Sequence, residues 1–382
     1  PDFFNARIKI DNTTWAGNVE IHVNASDWKK HSHQKDKAFD NIILHVVYEA
    51  DVELFRENGE PIPTLELKNR IPKDIYGKYL QFKSSKDWIP CQKQVNSVDK
   101  MALNNWLDRL LVERLERKSN TIRELLKLNK NDWEESFYQM MARSFGFKTN
   151  GEPFELLARS LPNTFLSKHK DSLLQVEAML FGQAGFLDKS HIDKYAQRLQ
   201  NEYVFLKQKF KLQPIRNHLW KFLRLRPGNF PTIRIAQFAQ LIHTSSHLFS
   251  KVLEAETVSS LKKLMNVDTS EYWQTHYRFN KPSTKKIKAL GENASDVIII
   301  NTIVPFLFVY GKERGEEQYC ERTLSFLEKI EPENNSIIAR WKSIGVTSKN
   351  SYETQALLQL KNEYCSKKKC LNCGVGVNLL KR

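Results

Sequence analysis

The hydrophobic period of this chain changes once, near residue 100, and few folds accommodate such a change. Ahead of it, apolar residues recur at every second position; beyond it, at every third or fourth. Phe4, Ala6, Ile8 and Ile10 alternate with Asn5, Arg7 and Lys9, and Asp11-Asn12 is turn material. Val19, Ile21 and Val23 then face one way, Glu20 and His22 the other. Ser26 is a predicted N-cap, with Asp27 in the first turn of a helix expected to run to about Phe39. The β-branched run from Ile42 to Tyr48 suits a central strand covered on both faces. Val52 to Arg56 and Thr64 to Leu67 flank Asn58-Gly59 and predict a hairpin. The expected order is β-β-α-β followed by β-β.

From about 100 the stripes are helical. Leu103, Trp106, Leu107, Leu110, Leu111 and Leu115 share one face, with Arg109, Glu113 and Arg117 off it. Tyr195, Leu199, Tyr203, Leu206 and Phe210 make a second stripe. Pro and Gly mark a further break near 214–231. These patterns predict an α+β chain: a small mixed sheet with a packed helix, followed by a large all-α region. The expected segments are 1–95, 96–350 and a C-terminal helix with a Cys-rich tail over 351–382.

The charge follows the same division. The chain of 382 residues has a formal net charge of +15, yet residues 1–100 hold 15 basic and 15 acidic side chains, so the whole excess lies in 101–382. An anionic partner, nucleic acid first, is the expectation. The longest charge-free apolar run, Val297 to Gly311, is fifteen residues long and interrupted by Asn301, Thr302 and Pro305. It reads as a buried helix rather than a membrane span. Five cysteines, three of them clustered at the tail, do not form a secreted disulfide framework, and a reducing cytoplasm is expected. The chain opens at Pro1 without Met, which points to a missing natural N-terminus.

The densest chemistry lies near the start. His22, His31, His33 and His45 fall among Asp2, Glu20, Asp27, Asp36 and Asp40. If Asp11 to Thr13 form a three-residue hairpin loop, Asp2 lies opposite His22 and diagonal to Glu20, all on one face. A two-residue loop would move Asp2 to the other face. Two carboxylates and a third polar group on adjacent strands suit a Mg²⁺ or Mn²⁺ phosphodiesterase. On these residues the core resembles the PD-(D/E)XK nuclease superfamily, restriction-endonuclease-like, whose first helix would lie upstream of Pro1. The resemblance implies that Asp2 and Glu20 bind metal. His22 stands where that superfamily has Lys.

The whole chain is also similar to an uncharacterised bacterial family, catalogued as domain of unknown function 2851. The segments carrying this are Pro1 to Ala6, Gly17 to His22, Ser26-Asp27-Trp28, His31-Ser32-His33, Leu44 to Glu49 and the Cys-rich tail.

Blander readings stand beside these. Glu20 and His22 also fit a solvated sheet face. His31 and His33, two apart on the expected helix, point in different directions, so one is a surface residue; Asp27 and His31 fit a supporting pair. His45 reads as a hydrogen-bonded core histidine. A competing reading gives His31, His33, Asp36 and His45 to a zinc hydrolase or structural site, which needs a bent segment in place of the helix.

Cys365-x4-Cys370-x2-Cys373 predicts thiolate ligation of zinc or an iron–sulfur cluster, with Cys320, Cys91 or a histidine as fourth ligand. Buried thiols are the alternative. Arg216, Trp220, Lys221, Arg224, Arg226 and Arg234 interleave basic and aromatic groups as a nucleic-acid surface would, with Lys281, Lys285, Lys286 and Lys288 as a second cluster. The combined expectation is a divalent-metal nuclease acting on DNA or RNA. The alternatives are a nucleic-acid-binding or scaffold protein with a degenerate nuclease core, and a zinc hydrolase built on His31 and His33.

Overall fold

A computed structural model describes residues 1–245 and 247–382. Two compact units divide the chain: Pro1–Gln92 with Lys368–Arg382, and Lys93–Lys367.

The first unit is built on a four-stranded sheet, β1 (Phe3–Ile10), β2 (Thr13–Asn24), β3 (Ile42–Glu49) and β4 (Thr64–Glu66), in that spatial order. β1 and β2 are antiparallel; β2, β3 and β4 are parallel. The sheet is therefore mixed, as expected. The hairpin expected between Val52 and Leu67 is not what forms. Phe55 makes a lone bridge to Pro61, and β4 joins β3 in parallel instead.

The first hairpin closes on two residues, with Ile10 opposite Thr13. That corrects the three-residue loop. By itself it would put Asp2 on the wrong face, but a bulge between Phe3 and Ala6 adds one position and pairs Phe3 with Val19. Asn5 takes the left-handed conformation this requires, φ 53°. Asp2 consequently lies beside Glu20 rather than opposite His22.

The segment after β2 corrects a second expectation. The helix predicted to reach Phe39 stops after one turn, α1 (Asp27–Lys30). Ser32 at φ 61° breaks it, and two short 3₁₀ turns, His33–Lys35 and Lys37–Phe39, lead into β3. Trp28, Ala25, Ile42, Val47, Leu54 and Ile62 form the small core beneath this segment. The amphipathicity of β2 is inverted: Ile21 and Val23 are exposed, while Glu20 is buried. A longer helix follows, α2 (Lys73–Ser84), and the C-terminal tail ends in the helix Gly374–Leu380.

The second unit is helical. Its longest helix, α3 (Lys100–Leu128), starts where the Asp99 side chain accepts the Ala102 N–H; it buries the expected stripe from Trp106 to Leu115, with Leu103 half-buried, and extends it to Leu126. The apolar run expected to be internal lies in a helix spanning Glu292–Arg314, long and apolar enough to cross a membrane by length and composition. Its apolar window is 72% buried within the protein, the packing of a core helix. It passes through a π-helical turn at Ile299–Ile303.

Candidate metal centre

Strand periodicity puts Glu20 and His22 on one face of β2. β3 runs parallel beside it and sets His45 level with Glu20. The third contribution comes from the broken helix. His31 caps α1 and His33 opens the first 3₁₀ turn, so the left-handed residue between them folds both imidazoles back over the sheet. A regular helix would have splayed them.

The result is a cluster of imidazoles. The ligand nitrogens of His22, His31 and His33 all lie within 4.8 Å of one another. His22 Nδ1 shares a hydrogen bond with His45 Nε2 at 2.8 Å, and His22 Nε2 meets His31 Nδ1 at 3.1 Å. Glu20 Oε1 is 3.6 Å from His22 Nε2 and 3.4 Å from His33 Nε2. Glu20 Oε2 accepts the Asp2 backbone N–H at 2.9 Å, and the Ile21 N–H donates to Asp2 Oδ2 at 2.9 Å. Asp2 and Glu20 are thus joined across the strand ends. Aromatic walls hold the imidazoles: Phe39 stacks on His33 with centroids 3.8 Å apart, and Trp28 stands edge-on to His33 and His45 at 5.4 and 5.2 Å.

Burial disfavours protonation here. It lowers His22 against the opposing pull of Glu20, and lowers His33 in the same way. His45 drops to about 4, through burial first and then its neighbours His22 and His33. These rings are therefore neutral near pH 7, the form that ligates metal. Among the described residues, His33 Nε2 and His45 Nδ1 are buried without a hydrogen-bond partner. Three imidazoles and a carboxylate, one nitrogen lacking a partner, are a donor set that could hold a metal ion.

Asp27 and Asp36 make local contacts. Asp27 accepts the Asn24 N–H and pairs with Lys30, which holds its carboxyl below the ordinary value; it anchors the start of α1. Asp36 caps the second 3₁₀ turn through the Ala38 N–H.

A family model described as Protein of unknown function (DUF2851) matches residues 1–336. The chain belongs to this family. Comparison with curated proteins and with solved structures found no match. The part matched by DUF2851 contains the whole histidine cluster and ends before the cysteines of the tail.

In this DUF2851 chain the basic candidates separate. Trp220 is not a stacking platform: it is 6% exposed, and its indole N–H donates to the Ala184 carbonyl. Arg234 is also buried, held by Gln237 and Asn229 and lying over the Phe147 ring. Arg216, Lys221, Arg224 and Arg226 are exposed. Arg226 and Arg234 line one cleft of about 740 Å³ with Lys286, Lys288, Tyr277 and Asn229. Lys288 is buried there, donating to the Trp273 and Gln274 carbonyls.

Sequence reasoning passed over Trp28 and Phe39 as walls of the site. Their signal was present: two aromatics flanking a His-x-His in a segment too polar to form a core helix.

Proposed function

We propose that this chain is a transition-metal-dependent phosphodiesterase acting on nucleic acid. The observation that carries the reading is the convergence of His22, His31 and His33, with Glu20 beside them and Trp28 and Phe39 packed against the His33 ring.

Glu20, His22, His31 and His33 would hold the ion. Bound there, it supplies Lewis-acid polarisation of a phosphoryl oxygen and lowers the pKa of a coordinated water. His45 positions His22: by occupying Nδ1 it leaves Nε2 directed to the ion and fixes the ring. Asp2 is held by the Ile21 N–H through one oxygen and keeps the other to accept a proton. The exposed arginines and lysines of the helical unit supply phosphate contacts, consistent with the net charge of +15.

The test is cleavage of single- and double-stranded DNA and RNA by full-length protein stripped of metal and reloaded with Zn²⁺ or Mn²⁺. Metal-restored cleavage that disappears in Glu20→Gln and His22→Ala is expected. His45→Ala should lower metal affinity about 10–100-fold while leaving the ligands in place. Cleavage unchanged in His22→Ala would overturn the assignment. Nucleic-acid binding without cleavage under any metal would leave a non-catalytic binding protein.

A further inference from the structure

The thiols of Cys365, Cys370 and Cys373 are buried, and among the described residues they join no group of ligands like that of the histidines. Uncompensated charge lies instead in the helical unit, around the cleft of about 740 Å³. Four cations line it: Arg226, Arg234, Lys286 and Lys288. Arg234 is 7% exposed and Lys288 6%, whereas Arg226 and Lys286 are open to solvent. The buried pair therefore makes the floor and the exposed pair the rim.

The local fold fixes the floor. A 3₁₀ turn at Pro227–Asn229 precedes the helix Pro231–Thr244, whose first turn carries Arg234. Arg234 Nη2 donates to Asn229 Oδ1 at 2.7 Å and Nη1 to Gln237 Oε1 at 2.9 Å. Gln237 in turn donates through Nε2 to the Lys288 carbonyl at 2.9 Å, which ties the two cationic residues together. Lys288 Nζ donates to the Trp273 and Gln274 carbonyls and lies 4.2 Å from the centre of the Tyr277 ring. Every one of these partners is neutral. Arg234 thus uses two of its five N–H groups, and its Nε has no partner among the described residues.

Among the described residues no carboxylate pairs with any of the four cations, and the acid that lines the cleft, Glu292, is already bound by Lys262 at 3.0 Å. The Phe147 ring, 4.6 Å from the Arg234 guanidinium, offsets part of its charge. Amide oxygens and ring faces do not replace a counter-ion for a cation taken out of water. A compact anion in the cleft would. We propose that this cleft binds the terminal phosphate of a phosphomonoester, carried either by a nucleotide or by the phosphorylated end of a single strand. A monoester holds about 1.5 to 2 negative charges near pH 7, more than a backbone diester, and offers three oxygens to a guanidinium fork. Only a terminal group reaches a buried floor; the backbone of a duplex stays at the exposed arginines. The inference does not rest on the histidine centre, because it needs no metal and all its residues belong to Lys93–Lys367.

The experiment uses the full-length protein stripped of metal. Fluorescence anisotropy compares internally labelled single strands of one sequence, with and without phosphates at their ends. Calorimetry adds inorganic phosphate and a nucleoside monophosphate as small probes. The phosphorylated strand should bind about tenfold more tightly, the effect of one charge-assisted contact. Arg234→Ala is the direct variant, but loss of that buried side chain disturbs the surrounding fold. Lys286→Glu alters only the exposed rim and should abolish the gain, whereas Lys281→Glu, the same change of charge outside the cleft, should keep it. Heat from either small probe that Lys286→Glu removes identifies a nucleotide-sized ligand; a gain for phosphorylated strands alone identifies a strand end. Equal affinity for the two strands together with no heat from the small probes overturns the proposal. So does a gain that survives Lys286→Glu, or one that Lys281→Glu removes equally.

Discussion

Trp28 governs how far the imidazoles of the proposed centre can move. It is 3% exposed and touches His33, His45 and Phe39 at once. Truncation to alanine opens a cavity under two proposed ligating or positioning rings, and should cost about 3–5 kcal/mol. Urea unfolding measures the loss, and metal affinity should fall with it. Phe at this position should recover most of the stability and part of the affinity. A second residue-scale effect lies in the helical unit. Glu177 is fully buried, accepts hydrogen bonds from the Tyr195 hydroxyl and the Trp273 indole, and has one oxygen without a partner. Burial raises its carboxyl to about 7 from an ordinary 4.5, despite the hydrogen bonds that oppose the shift. The folded protein thus holds a proton that the unfolded chain releases above 4.5. The stability this group contributes is complete below pH 4.5 and is lost as pH rises through 7. Glu177→Gln should remove on the order of 3 kcal/mol from the stability difference between pH 4.5 and pH 8, read from urea unfolding at both values. An unchanged difference would show that Glu177 ionises freely in the fold.

At the scale of elements, two left-handed residues place the site. Asn5 at φ 53° makes the bulge that returns Asp2 to Glu20, and Ser32 at φ 61° ends α1 so that His31 and His33 converge. Asn5→Val should cost about 1–2 kcal/mol, because a β-branched residue strains in that conformation, whereas Asn5→Gly should be near neutral. If the bulge sets the position of Asp2, the valine variant should also weaken the proposed metal-dependent cleavage more than its stability loss explains. These same two positions separate what could be read in the sequence from what could not. The strands were legible from alternation alone, although β2 buries Glu20 and exposes Ile21 and Val23, and the α3 stripe was legible because its burial follows the helical period. The mixed sheet and the large helical region followed from them. The hairpin register was not legible, because it depends on a one-residue bulge whose only signal is an asparagine among alternating residues. Nor was the broken helix: Ser26, Asp27 and the residues to Phe39 carry ordinary helix-start chemistry. The break at Ser32 is settled by tertiary contacts of Trp28 and Phe39. The acid and imidazole couple on β2 was identified, but His31 and His33 were assigned to diverging directions for want of that break.

For the whole molecule the governing quantity is charge. Residues 1–100 are neutral and the remainder carries the full +15, so the first hundred residues add nothing to the net attraction for a polyanion. Non-specific affinity should then fall steeply with salt, each neutralised phosphate contributing about 0.9 to the slope of log K against log salt on duplex DNA. Not every basic residue counts toward that slope. Arg234 and Lys288 are buried and bound to neighbouring groups, so their loss should unfold local structure rather than change the slope. Arg216, Lys221, Arg224 and Arg226 are exposed along one irregular stretch between helices. Replacing Arg224 and Arg226 together with alanine should reduce the slope by up to about 2 with little change in stability. Fluorescence anisotropy with a labelled duplex between low and moderate salt makes the measurement. A slope unaffected by the pair would move the phosphate contacts elsewhere on the basic unit, and a slope near zero for the unaltered protein would remove nucleic acid as the partner. In that case the proposed histidine centre would need a substrate other than a polyanion.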